Sequence, residues 1–147
     1  MTGTKADIIA RLQKDILPLQ GFRPILNNSA IDAGLGLIKN AFPSSSFPLG
    51  AVHEFISTRP EDAAATTGFV SGILASLMRK GGACIWIASR RTLFPPALRS
   101  FGITADKIIF IDLKKEKEIL WAMEEALKCE GLSAVVGEIK ELSFTAS

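Results

Sequence analysis

The sequence predicts an α/β domain with a three-layer core around a mainly parallel sheet. Short apolar runs rich in β-branched residues alternate with longer segments of helical period from Gly50 onward. Glycine or proline marks most of the junctions between them. The resulting order, β-α-β-α-β-α-β, requires crossover connections. Such connections set strands parallel and lay helices on both faces of a sheet.

The elements follow in chain order. Residues 5–17 place Ile8, Ile9, Leu12 and Ile16 on one helical face, and Pro18 and Gly21 end that helix. Residues 22–28 read as irregular. Ser29 then caps a short helix running to about Ala41. "FPSSSFPLG" (42–50) has no period and reads as a connector. Residues 1–48 are therefore expected to be an N-terminal helical segment and linker, docked by Phe22, Phe42 and Phe47. Residues 49–147 are expected to form the α/β core.

Within the core, "AVHEFIS" (51–57) reads as a first strand through Val52, Phe55 and Ile56. A helix over 61–80 follows, with Phe69, Val70, Ile73, Leu74, Leu77 and Met78 on its apolar stripe. Gly81 and Gly82 stop it. "ACIWIAS" (83–89) is a continuous apolar run, as in a strand buried on both faces. Residues 92–103 read as a short helix with Pro95 and Pro96 in its first turn, where a missing N–H costs little. "KIIFIDL" (107–113) is a third strand. Residues 114–131 form a helix expected to bury Ile119, Leu120, Met123 and Leu127, closed by Gly131. "SAVVGEI" (133–139) is a fourth strand.

A length of 147 residues suits one domain, and 48% apolar with 22% charged residues is an ordinary globular balance. A net charge of +2 neither demands nor excludes nucleic acid. No run of about 18 apolar residues exists to span a bilayer. The charged, amphipathic first twenty residues do not read as a signal peptide, so a cytoplasmic protein is expected. Cys84 and Cys129 lack metal-ligand spacing and read as free thiols, and the single histidine, His53, reads as structural. No metal and no cofactor are expected.

The chemistry of such a fold concentrates after the first strand, where a phosphate loop reads GxxxxGK[ST]. Glycines let its N–H groups curl around phosphates, the lysine neutralises them and the hydroxyl holds magnesium. Here that stretch is Arg59-Pro60-Glu61-Asp62-Ala63-Ala64-Ala65-Thr66-Thr67. Arg59 and Ala64 stand at the glycine positions and Ala65 at the lysine, while Thr66 alone keeps register. Glu61 and Asp62 add two carboxylates where a triphosphate would lie, and they equally suit the start of a helix.

This stretch resembles the phosphate loop of RecA recombinases, G-P-E-S-S-G-K-T-T, which Pro60, Glu61, Thr66 and Thr67 match. Within that superfamily the chain resembles the ImuA family through "GAVHEF" (50–55), "WIASRR" (86–91), "LWAMEEALKC" (120–129), "AVVGEI" (134–139) and "TAS" (145–147). The resemblance implies a RecA-like core in an accessory protein of SOS translesion synthesis. It implies partnership with a Y-family polymerase homologue of the ImuB type, with RecA, or with single-stranded DNA. It also places Arg90 where RecA-like ATPases carry the water-activating glutamate. Gly137 stands at the magnesium aspartate, and Glu138, one residue on, would face the other side of the strand. The expected domain is therefore no enzyme and has no catalytic residues. A SulA-like division inhibitor acting on FtsZ, and a nucleotide-binding ATPase with an altered loop, are the alternatives.

The resemblance further implies a strand between the last one here and the phosphate-loop strand. The chain reaches Ser147 without it, so the expected core is truncated after its fourth strand. Three arrangements meet that expectation: a fragment, direct pairing of 51–57 with 133–139, or an edge open to self-association or to another chain. Arg90 and Arg91, at a strand's carboxyl end, read as solvated loop arginines or as contacts to phosphate backbone or an acidic partner. Helical spacing places Trp121 beside Lys117, Glu124, Glu125 and Lys128, off the core stripe. It reads as an interface anchor or as an indole half-covered by a neighbouring helix.

Overall fold

A computed structural model describes residues 4–19, 35–42, 45 and 47–140. The chain divides into two units, Met1–Ile56 and Ser57–Ser147.

In the first unit, helix α1 spans Lys5–Leu19, running through Pro18. Thr4 starts it: its backbone N–H and its hydroxyl both donate to the Asp7 carboxylate, at 2.9 and 2.7 Å. Ile8, Ile9, Leu12 and Ile16 are each about half exposed. The expected helix from Ser29 survives among the described residues as a 3-10 helix, Gly36–Ala41. Ser29 itself and Phe22 lie outside the described residues. Phe47 is buried, edge-on to Phe42 and stacked at 4.3 Å on the His53 ring. The His53 Nε2 lies 2.8 Å from the Pro48 carbonyl.

The expected strand 51–57 is not formed. Residues 52–58 have no regular hydrogen bonding, and Val52 and Ile56 are 89% and 81% exposed. Val, Phe and Ile have the side chains of a strand, but β preference is realised only against a neighbouring strand. None of the described strands pairs with this segment. Direct pairing of 51–57 with 133–139 is accordingly absent.

The second unit holds the sheet. Helix α2 (Pro60–Leu77) continues into a 3-10 turn, Met78–Lys80. Gly81 and Gly82, at φ +105° and +84°, then turn the chain into β1 (Ala83–Ala88) in conformations that L side chains rarely adopt. The expected helix over 92–103 is a 3-10 helix, Pro95–Phe101, ended by left-handed Gly102. Strand β2 (Ile108–Asp112), helix α3 (Glu116–Leu127) and strand β3 (Leu132–Glu138) complete the unit. The sheet has three strands in the order β2-β1-β3, all parallel. This is an α/β sheet with helices on both faces, consistent with a truncated RecA-like core.

Alternation along β1 divides its side chains between two layers. Cys84, Trp86 and Ala88 join Leu74 and Met78 of α2, with Leu93, Leu98, Ile103 and Ile108, in one buried cluster. Ala134 and Val136 of β3 pack against the same cluster. Ile87 points to the opposite layer, where α3 lies, and both Ile87 and Ile119 are fully buried. There α3 crosses so close to β3 that a Cβ on Gly137 would collide with the Met123 thioether. The expected burial of Leu127 fails, since it is 64% exposed and Ala126 is buried instead. At 3.6 residues per turn Leu127 sits roughly 80° around the helix from Ile119, whereas Ala126 sits within about 20° of it.

Candidate functional site

The site the sequence singles out begins at Arg59. The structure makes residues 60–67 helix, not loop. Pro60 occupies the first turn, where its lack of an N–H is harmless, and Glu61 and Asp62 complement the positive end of the helix dipole. The Ala63 N–H already donates to the Arg59 carbonyl at 3.0 Å. In an α-helix each later N–H, from Ala64 through Thr67, is likewise engaged four residues back. A phosphate cradle needs those same N–H groups free and convergent.

The side chains are committed as well. Arg59 forks onto Asp62, with Nη2 2.9 Å from Oδ1 and Nε 3.2 Å from Oδ2. Those hydrogen bonds hold the Asp62 carboxyl below the usual carboxylate range, and Thr58 adds a further donor. Asp62 is thus ion-paired to Arg59, whereas among the described residues Glu61 makes no ion pair. The Thr66 hydroxyl lies 2.9 Å from that of Ser57, and Thr67 donates to the Ala63 carbonyl at 2.8 Å.

A second constellation lies at the carboxyl ends of the strands, where open α/β sheets bind ligands. Glu138, last in β3, accepts from the Trp86 indole N–H at 2.7 Å and from the Thr92 hydroxyl at 2.9 Å. The resemblance sets Glu138 only one residue past the magnesium-aspartate position. Its true partner is 52 residues away, on the next strand. A buried indole N–H needs an acceptor, and that was the available signal. Arg91 pairs with Asp112 at 2.7 Å and lies over the Phe110 ring at 5.3 Å. Arg90, next to it, is exposed. Trp121 projects from the solvent face of α3, 64% exposed. Lys128 on the same face is paired with Glu125 at 2.6 Å and Glu124 at 3.7 Å. Gly137, at the position the resemblance gives to the metal aspartate, lies under Met123. Among the described residues no three histidine, cysteine or acidic side chains gather as metal ligands. None of the described helices is long and apolar enough to cross a membrane.

Comparison with known proteins matches this chain to Protein ImuA of Caulobacter vibrioides, in two strains, NA1000 / CB15N and ATCC 19089 / CB 15. Each is 38% identical over 112 residues, covering 74% of this chain. The chain is an ImuA-like protein. It spans about half the length of the curated relatives it matches, 46% of each. No family model matches the chain, and no solved structure matches it significantly. The ImuA-like chain thus combines a parallel α/β sheet with a helix where a nucleotide loop would stand.

Proposed function

We propose that this ImuA-like chain is a non-catalytic accessory protein of damage-induced mutagenesis, a RecA-like scaffold that works by protein contact. The observation that carries this reading is the helical state of residues 60–67, with the N–H groups from Ala63 through Thr67 spent on the carbonyls four residues back. Three further losses support it: Ala65 replaces the lysine, Arg90 replaces the general base, and Gly137 replaces the metal carboxylate. An arginine cannot accept the proton of an attacking water. The relatives' name supports the mutagenesis role. The partners are a Y-family polymerase homologue, RecA, or both, met in the cytoplasm.

Arg91 and Trp121 are the side chains proposed for those contacts. An exposed tryptophan ringed by charged residues has the make-up of an interface anchor. Co-purification tests this. The chain is expected to retain the polymerase homologue or RecA, and Trp121→Ala is expected to weaken retention at least about tenfold without loss of fold. Retention of FtsZ instead, or of neither protein, would replace the reading.

A further inference from the structure

We propose that the crevice between the carboxyl ends of β1 and β3 is a phosphate-binding site built from Ser89, Arg90 and Lys140. A cavity of about 180 Å³ opens there, lined by Ser89, Arg90, Thr92, Glu138, Ile139 and Lys140. The strand order β2-β1-β3 makes this the switch point of the sheet. From β1 the chain moves to β2 on one side, then crosses back through α3 to β3 on the other. Open α/β sheets bind ligands outside the carboxyl ends of their strands, and this crevice lies there.

The charge distribution selects an anion. The carboxylates at this end of the sheet already have donors: Glu138 has Trp86 and Thr92, Asp112 has Arg91, and Glu116 has the Lys140 backbone N–H at 3.2 Å. Three donors do not. Among the described residues the Ser89 hydroxyl, the Arg90 guanidinium and the Lys140 ammonium make no hydrogen bond or ion pair, yet all three residues line the one cavity. The turn that presents Arg90 is fixed by the Thr92 N–H donating to its carbonyl at 2.9 Å. A charged fork, a point cation and a hydroxyl suit the several oxygens of a phosphate better than the two of a carboxylate. The cavity is also below the roughly 300–1,000 Å³ of sites that enclose drug-sized ligands. It seats a phosphate with part of its sugar and leaves a base outside. The phosphate belongs to a single-stranded DNA backbone or to a free polyphosphate. The site uses none of residues 59–67 and stands apart from the accessory reading.

Fluorescence anisotropy with a short labelled oligothymidylate at low salt, with inorganic pyrophosphate as competitor, tests the site. The wild-type chain is expected to bind the oligonucleotide. The double variant Arg90→Gln/Lys140→Gln should bind at least about tenfold more weakly, with a salt slope reduced by about one to two. Arg79→Gln, before the amino end of β1, should change neither. Displacement by pyrophosphate assigns the site to free phosphate, and loss in the double variant without displacement assigns it to phosphate within a backbone. Either supports the proposal. Wild-type affinity in the double variant, with circular dichroism unchanged, overturns it, as does failure of the wild-type chain to bind either probe.

Discussion

Replacing Glu138 by alanine removes the acceptor for a buried indole N–H, and the cost can be worked from the geometry. Trp86 is only 3% exposed, and its Nε1 donates to Glu138 Oε1 at 2.7 Å, the short distance of a charge-assisted bond. Hydrogen bonds to charged groups contribute about 1.5–3 kcal/mol, and a stranded buried donor costs about 1–3 kcal/mol. The site is at the end of the sheet, where water reaches a truncated side chain, so the lower half of that range applies. Glu138→Ala should therefore destabilise by about 1.5–2 kcal/mol. Glu138→Gln keeps an acceptor oxygen and should cost about 1 kcal/mol or less. Urea unfolding followed by far-ultraviolet circular dichroism measures both changes. A double-mutant cycle with Trp86→Phe isolates the pair from the packing lost with the indole, and its coupling energy should be about 1–2 kcal/mol. In a unit of this size the alanine variant should also lower Tm by roughly 6–16 °C. A coupling below about 0.5 kcal/mol would refute the argument, because Trp86 would then find water or another acceptor at no cost.

Three further outcomes follow from the core. Burial pushes the Cys84 thiol up to about 12 from a usual value near 9. The folded state thus holds this proton more tightly than the unfolded chain, so the stabilisation is full below pH 9 and is lost as pH rises from 9 towards 12. Denaturant titrations should show stability falling by up to about 1.4 kcal/mol per pH unit there, and less steeply in Cys84→Ala. In the native chain a thiol reagent should modify exposed Cys129 and leave Cys84 intact, and rapid labelling of both would contradict the burial. Gly137→Ala inserts a Cβ into the Met123 thioether and should destabilise by about 1–2 kcal/mol, since methionine can move but the strand cannot. Met123→Ala in the same chain should relieve part of that cost, and a fully additive pair would contradict the contact.

Much of this architecture is legible in the sequence, for identifiable reasons. "ACIWIA" forms the central strand because both of its faces are covered, and such strands read as unbroken apolar runs. The start of α2 is legible because Pro60, Glu61 and Asp62 are residues that suit a first helical turn. Residues 51–57 mislead because composition carries a side chain's β preference but not the presence of a partner strand. The carboxyl-end constellation is hidden for a different reason. Trp86 and Glu138 meet only once the parallel register sets Ala88 beside Glu138, and no local pattern encodes that register. Likewise Arg59 and Asp62 look like charges of opposite meaning until the helix brings them three residues apart onto one face.

Amide hydrogen exchange over residues 59–67, with and without ATP and magnesium, tests the central claim most directly. If these residues are the opening turns of α2, the Ala64, Ala65, Thr66 and Thr67 amides are already protected in the free chain, and nucleotide leaves their exchange unchanged. Slow exchange that appears only when ATP and magnesium are added, and disappears in Thr66→Ala, would mean that the segment closes around phosphate and that the chain handles nucleotide after all.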